Sequence, residues 1–480
     1  MTQPPSVRPA SPPPGRPGTP VPPQPSGLPP AAPQAGGTPP VGPRRTAWSE
    51  GVHRVRAAAT TEPGRLRIIG AVLAALVLLF GLVTAWQVSA RQTAADAVTE
   101  HSQVLSADAA RIYRSLADAD TTASSGFLAG GDEPRSVRER YEKDIDAASS
   151  LLAKAAANSG SSPSAQLQIA RLNRELPRYT GLVESARAHN RQGLPLGGAY
   201  LRYANEQMRT DLLPAANALY TAETARLRSD YDAARSWPWF ATGAGVLALG
   251  ALGWAQRRNY DRTNRVFNPG LLGATAVALA AAVWLVGGHT LAVVNLDESD
   301  EKGARSLHAL NEAWIGALQA RGDENMTLVA RGAGSAYEDS YKKQMGDVAG
   351  RGPGRAENGQ LDDALALADD TAGSAPVRDA KDAAGVWQKR HKHVRAEDDN
   401  GDYEAAVRDV IGRSGSTGEC FDSVEAGLEK ARQHEQAEFE QAAGDGRSAL
   451  TGLAVGAGVL AVLGAAAAVL GIGRRLSEYR

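Results

Sequence analysis

Four long apolar stretches divide this chain of 480 residues, and they limit its possible folds more than any other feature. They cover residues 68–88, 238–255, 271–294 and 449–472. Because a helix rises about 1.5 Å per residue, each stretch is long enough to cross a hydrocarbon core of ~30 Å. The stretches contain no Asp, Glu, Lys or Arg, whereas intramembrane charge usually marks an ion or substrate pathway. The pattern therefore predicts four transmembrane helices and disfavours a pump or a channel.

Two polar segments of similar size, 90–235 and 295–447, lie between these stretches. In each segment, apolar residues recur at the three- and four-residue steps of an amphipathic helix, and Gly- and Pro-rich turns interrupt the pattern. Four helical runs without a strand pattern predict an up-down four-helix bundle in each segment. Pro177 and Pro214 lie inside the last two runs of the first segment, where we expect a kink or a break. The predicted fold class is an all-α membrane protein with two such bundles.

The two polar segments share local sequence at a spacing of about 200 residues. Residues 116–120 (LADAD) correspond to 318–322 (LQARG), and residues 140–143 (RYEK) correspond to 340–343 (SYKK). Identity is low, but the order and the spacing match. We interpret the chain as an internal duplication of a module that consists of a span, a bundle and a second span.

Arginines cluster on one side of the predicted spans. They lie before the first span, in the loop 256–268 and in the tail 473–480: Arg54, Arg56, Arg65, Arg67, Arg257, Arg258, Arg262, Arg265, Arg474, Arg475 and Arg480. Since basic loops stay in the cytoplasm, we expect both termini there and both bundles outside. Residues 88–90 resemble a signal-peptidase site, but the long segment before the apolar run favours a retained anchor.

Residues 1–62 are rich in Pro, Gly, Ser and Ala and contain almost no large apolar side chains. Such a segment cannot bury enough surface to offset its ordering entropy, so we expect a disordered Pro-rich cytoplasmic tail. Polyproline turns such as residues 12–14 leave binding to a partner domain as an alternative.

The second bundle carries an excess of roughly a dozen acidic residues, concentrated at 297–301, 362–363 and 397–399. A solvated helix surface explains such charge. The alternatives are a surface for a basic partner and weak binding of divalent ions near the membrane.

Catalytic and metal-binding motifs of known spacing are absent from the sequence. We therefore predict no catalytic, cofactor-binding or metal-binding residue, no cofactor and no enzymatic activity. His391 and His393 fall on different faces of a helix, which favours a polar surface over a metal site. Cys420 is the one cysteine, so an intramolecular disulfide is excluded and a small, half-buried apolar role is expected. His289, near the outer end of the third span, is expected at the membrane interface.

Small residues recur at four-residue spacing in the third and fourth spans: Ala274, Ala278, Ala282, Gly452, Gly456, Ala457, Ala461 and Ala465. This spacing lets helix backbones approach closely, although it also arises by chance in Ala-rich spans. Aromatic residues lie where outer-interface anchors are expected: Trp86, Trp237, Trp239 and Phe240.

Residues 198–209 (GAYLRYANEQMR) and 212–216 (LLPAA) resemble the four-span membrane component of the actinobacterial amino-acid-sensing system. The basic flanks, the duplicated bundles and the basic central loop extend the resemblance over residues 65–480. The bundles also resemble the four-helix sensor domains of chemoreceptors and sensor kinases, whose terminal helices run into the membrane. By that likeness, residues 90–127 would continue the first span and residues 203–236 would run into the second.

The resemblance implies a signal transducer. In that system an extracytoplasmic solute-binding lipoprotein captures acidic amino acids or their amides, and the membrane protein relays this state to a cytoplasmic Ser/Thr kinase. The implied partners are that lipoprotein, the kinase and membrane lipid, with no nucleic acid. Two other classes stay open, namely an accessory subunit of a transport or export complex and a structural protein of the cell envelope.

Overall fold

The computed structural model describes residues 61–158, 162–263, 268–350 and 358–476. Most of the predicted Pro-rich tail, residues 264–267 of the predicted basic loop and the last four residues lie outside these ranges. Within them, every regular element is helical.

The described residues form fifteen α-helices: α1 (Glu62–Ala97), α2 (Gln103–Leu128), α3 (Arg135–Asn158), α4 (Pro163–Arg191), α5 (Leu196–Gln207), α6 (Leu213–Arg235), α7 (Trp239–Thr263), α8 (Pro269–Glu298), α9 (Arg305–Val329), α10 (Ser335–Ala349), α11 (Gln360–Leu367), α12 (Thr371–Asp399), α13 (Tyr403–Ile411), α14 (Thr417–Leu450) and α15 (Leu453–Leu476). Three π-helical turns join consecutive helices without a break: Val98–Ser102, Met208–Leu212 and Ser299–Ala304. A π-turn is rare and is frequently found at functional sites.

Four helical paths are long and apolar enough to cross a membrane: Gly64–Leu128, Leu196–Asp261, Pro269–Val329 and Thr417–Arg474. They contain the four predicted apolar stretches. The expectation of an all-helical protein with four candidate spans is therefore confirmed. The apolar helices α1, α7, α8 and α15 pack in a ring, in which α1 and α8 each contact both α7 and α15.

The small residues of α15 form its contact with α1. Ala457, Ala461 and Ala465 are buried, and Gly81 of α1 faces Ala461 so closely that an added Cβ would collide. The two helices thus approach through specific packing rather than by a chance run of alanines. Gly452 does not share this face, because it has a positive φ of 82° and lies between α14 and α15.

The helices enter and leave the spans differently. The first and third spans continue through π-turns into α2 and α9. The second and fourth spans are separated from α6 and α14 by short breaks at 236–238 and 451–452. Residues 203–236, predicted to run into the second span, belong to the path Leu196–Asp261, which is interrupted at 236–238. Pro238 accounts for that break, since it lacks an N–H and disfavours a helical residue before it.

Beyond the spans lies a polar body with two halves, α2–α6 and α9–α14. Helices α2 and α9 pack against each other, and one hydrophobic core extends through both halves. Pro177 lies within the continuous helix α4, whereas Pro214 occupies the first turn of α6 directly after a π-turn. In the second half, the third and fourth predicted runs are each divided in two, as α11–α12 and α13–α14.

Candidate functional site at the contact between the two halves

The contact between α2 and α9 is polar at its centre. The Thr121 hydroxyl donates a 3.0 Å hydrogen bond to the Leu318 carbonyl. The Asn325 amide donates to the Thr121 carbonyl at 3.2 Å and to the Ser125 hydroxyl at 2.8 Å. Thr121 and Asn325 are buried. Since a buried polar group is costly unless it is paired, these bonds fix one alignment of the two helices.

Ion pairs continue this contact toward the surface. Arg140 of α3 pairs with Asp118 of its own half at 2.9 Å and with Glu425 of the other half at 2.7 Å. Arg209 pairs with Asp323 across the same boundary at 2.7 Å. Burial and the neighbouring Asp118 carboxylate raise the pKa of Asp144 beside this cluster. The boundary between the halves therefore depends on charge as well as on packing.

A buried polar network lies inside the second half, around the Glu324 carboxylate. Glu324 accepts hydrogen bonds from Arg321 at 2.6 Å, from Thr417 at 2.9 Å and from the Trp387 indole at 3.2 Å. His391 Nδ1 lies 2.8 Å from the same carboxylate. Burial alone would raise the pKa of Glu324, but the bond from His391 and the charge of Arg321 hold the pKa below its usual value.

The expectation that His391 belongs to a polar surface is wrong. The side chain is buried, with its ring stacked on Tyr341 at 3.6 Å between centroids. Its second ring nitrogen, Nε2, lies 3.0 Å from Glu338. Since both nitrogens can donate only in the imidazolium, the two carboxylates favour protonation. Burial acts to lower the pKa of His391, but these bonds outweigh it and raise the pKa.

Asp120 of α2 is a buried acid of the first half. It accepts a 3.2 Å bond from the Tyr179 hydroxyl and a 2.6 Å bond from the Asn205 amide. Burial raises the pKa of Asp120 to about 6 in spite of these bonds. Both carboxylate oxygens of Asp120 therefore have hydrogen-bond partners, but burial still makes the ionised form unfavourable.

The π-turns at 98–102 and 299–304, which follow the first and third spans, each form ion pairs with the other half of the chain. Arg235, at the end of α6, pairs with Asp297 at 2.9 Å and with Asp300 at 3.0 Å. Asp300 lies in the turn that leads into α9. Conversely, Arg447 of α14 pairs with Asp96 at 2.6 Å and with Glu100 at 2.9 Å, at the turn that leads into α2. The last helix of each half is therefore joined by ion pairs to the helical path that leads into the other half.

The remaining singled-out residues have simple surroundings. Cys420 is a free, buried cysteine, and burial raises the pKa of its thiol, so it packs as an apolar side chain. The His393 side chain is 65 % exposed, as expected for a polar surface. His289 is buried against Trp237, with ring centroids 5.2 Å apart, and its position at the membrane interface stays a prediction. Three of the predicted interface aromatics are exposed: Trp86, Trp239 and Phe240.

One group of side chains in the described ranges could hold a divalent ion, namely Asp370, His434 and Glu438. His434 Nε2 lies 3.1 Å from a carboxylate oxygen of Asp370 and 3.3 Å from one of Glu438. Asp370 also accepts a hydrogen bond from the Gly373 backbone and caps α12.

Sequence reasoning did not single out Asp120, Glu324 or Arg321. The sequence did contain a signal for such residues, namely a charged residue at a position where the helical spacing predicts an apolar one. Asp120, for example, lies between the apolar positions Leu116 and Ala123.

Residues 94–232 match the family model of an actinobacterial sensor domain. The match begins at the end of α1 and covers the first π-turn and nearly all of the first half. It supports a sensing or signalling role and a likeness to sensor proteins of actinobacteria. No curated protein and no solved structure matches the chain.

Proposed function

We propose that this protein is a transmembrane signal transducer that senses extracytoplasmic amino-acid availability through a solute-binding lipoprotein. It relays that state to a cytoplasmic Ser/Thr kinase, and it acts by binding rather than by catalysis. The observation that carries the proposal is the reciprocal pairing of Arg235 and Arg447 with the two π-turns. The sensor-domain match of residues 94–232 supports the same role.

The proposed topology places both halves of the polar body outside the cytoplasm as two four-helix bundles that arose by duplication. The arginine clusters next to the spans support this orientation. Equivalent features support the duplication, because π-turns at 98–102 and 299–304 follow the first and third spans, and breaks precede the second and fourth.

The proposed relay uses a choice between two packings of the helices. The lipoprotein docks on the polar body and favours one packing, and the unbroken paths through α1 and α8 carry the shift across the membrane. A few kcal/mol of differential affinity is enough to move such an equilibrium. The basic loop 256–268 and the Pro-rich tail 1–62 then present a changed surface to the kinase.

The test is a crosslinked pull-down of the tagged protein from its native membrane, with mass spectrometry of the captured proteins. We expect a solute-binding lipoprotein and a Ser/Thr kinase, both reduced when the protein carries R235Q and R447Q. Capture of an ATP-binding-cassette subunit would instead favour the transport class. Envelope enzymes alone would favour the structural class.

A further inference from the structure

One cavity of the polar body lies between its two halves. It has a volume of about 680 Å³ and is lined by α2, α3 and α6 on one side and by α9 and α14 on the other. Ligand pockets for small molecules span roughly 300–1,000 Å³. A molecule held here would touch both halves at once.

The wall of this cavity contains a partly buried arginine, Arg114, without a counterion among the described residues. The Arg114 guanidinium lies over the Trp314 ring, 4.4 Å from its centroid. Among the described residues it forms no ion pair and no hydrogen bond, and its Nε atom is buried without a partner. Burial lowers the pKa of Arg114 to about 10. Its Nε atom is shielded from water and unpaired, so an anionic ligand that accepts from it would relieve this cost.

The charges around Arg114 do not supply that anion. Glu429 is the carboxylate that interacts electrostatically with Arg114. It already forms a bidentate ion pair with Arg432, with N–O distances of 2.8 and 2.9 Å. Arg111 and Arg432 add positive charge at the same wall. The whole lining has seven acidic and six basic side chains, but next to Arg114 the arginines outnumber the one acid, so a carboxylate is favoured at this end of the cavity.

The opposite wall offers an unused acceptor. Asn311 of α9 is 8 % exposed and lines the same cavity, and its side-chain oxygen is buried without a hydrogen-bond partner. A buried amide oxygen without a hydrogen-bond partner favours a ligand that supplies an N–H or O–H donor. The two unsatisfied groups belong to different halves of the polar body.

We propose that this cavity binds a small organic acid whose carboxylate pairs with Arg114 and whose N–H or O–H group donates to Asn311. A planar carboxylate matches the guanidinium fork. The bound acid ties α2 to α9 and thereby links the two halves directly. The site goes beyond the proposed function, in which a separate lipoprotein holds the ligand, and it stands whether or not that relay exists.

The test uses the purified full-length chain in nanodiscs and three four-carbon probes, succinate, malate and aspartate, with inorganic phosphate as a fourth. The three acids share a skeleton and differ in a hydrogen, a hydroxyl or an ammonium on one carbon. Titration calorimetry and thermal unfolding measure binding. We expect malate or aspartate to bind at least about fivefold more tightly than succinate, because only they can donate to Asn311.

Three variants locate the site. R114Q should weaken binding at least about tenfold, because it removes the charge that pairs with the carboxylate. N311L should abolish the preference over succinate. R135Q, at an exposed position elsewhere in the first half, should change neither result.

Three outcomes would overturn the assignment. They are the absence of binding by all three acids at millimolar concentration, equal binding by R114Q, and binding of phosphate alone. A failed pull-down of lipoprotein and kinase would leave these binding results unaffected, so the two proposals fail separately.

Discussion

At the residue scale, the polar body contains ionisable groups that are buried and whose charge depends on a few named contacts. Asp120 is held by Tyr179 and Asn205, and His391 is held by two carboxylates. Their pKa values are both raised, but the consequences for stability have opposite signs. An acid with a raised pKa costs stability once it ionises, whereas a histidine with a raised pKa adds stability while it is protonated.

We expect D120N to stabilise the protein at pH 7.5 and to have no effect near pH 4. The pKa of Asp120 is about 6 in the fold, against about 3.9 in an unfolded chain, so the wild type loses stability as the pH rises between these values. The Asn205 side-chain oxygen has no partner and can accept from the new amide after a flip. The gain should be roughly 1–3 kcal/mol, measured by thermal unfolding at both pH values. The exposed change D132N serves as control, and an equal effect at pH 4 and pH 7.5 would contradict the burial argument.

The opposite dependence is expected for H391Q. Protonated His391 pairs with Glu324 and Glu338, so its contribution is fully present below the unfolded value of about 6.5 and disappears as the pH rises through its raised pKa. Thermal unfolding between pH 5 and pH 9 should show a loss of about 3 kcal/mol in H391Q near pH 5.5 and a smaller loss at alkaline pH. H393Q, on the exposed neighbour, should follow the wild type throughout. A pH-independent loss in H391Q would argue for packing alone.

The sequence could suggest some of these residues but not their partners. Asp120 interrupts an apolar pattern, which is a local signal. The surroundings of His391 come from Glu324 and Glu338, which lie 67 and 53 residues away in the chain. Spacing along one helix cannot reveal such contacts, and for that reason the predicted surface role of His391 failed.

At the element scale, the span helices were predictable because a membrane requires about twenty consecutive apolar residues, a signal that one segment carries by itself. The breaks inside helices were less predictable. Gly415 adopts a positive φ of 76° before α14, and Gly452 does so before α15. Glycine permits this conformation but does not demand it, so the same residue type also occurs within continuous helices.

The contact between α1 and α15 gives a direct test of span packing. We expect G81L to separate the two helices, because an added Cβ collides with Ala461. The cost should be about 1–3 kcal/mol or more, seen as a lower unfolding temperature in detergent. Gly250 of α7 has open space around it, so G250L adds the same side chain without a collision and should be neutral. Equal effects of both changes would show that the contact is not specific.

The first π-turn should tolerate a deletion that an ordinary helix cannot. A turn with i→i+5 bonds contains one residue more than an α-turn, so deletion of the exposed His101 restores α-geometry and keeps both flanking faces in place. Deletion of Arg111 removes one residue from the α-helical part of α2. The segments of the helix before and after the deletion then rotate by about 100° relative to each other. We expect a small change in unfolding temperature for the first deletion and a large loss for the second. A similar loss in both would contradict the assigned role of the turn.

At the scale of the whole molecule, the two halves of the polar body form one unit. Their cores merge, α2 lies on α9, and Arg235 and Arg447 pair reciprocally with the entering turns. The sequence predicted the repeated helical pattern but not this cross-connection, because pairing between distant helices depends on how they pack. The connection gives a physical route by which an event on either half reaches both pairs of spans.

The central proposal is that an event on the polar body changes the relative position of the spans. The most direct measurement places spin labels at two exposed positions near the basic ends of α1 and α7, Arg67 and Tyr260, in a C420S background. Distances in nanodiscs are compared with and without the docked lipoprotein partner. We predict a shifted distance distribution on docking, and no shift in the R235Q and R447Q double variant. Docking that leaves the wild-type distribution unchanged would contradict the proposed relay.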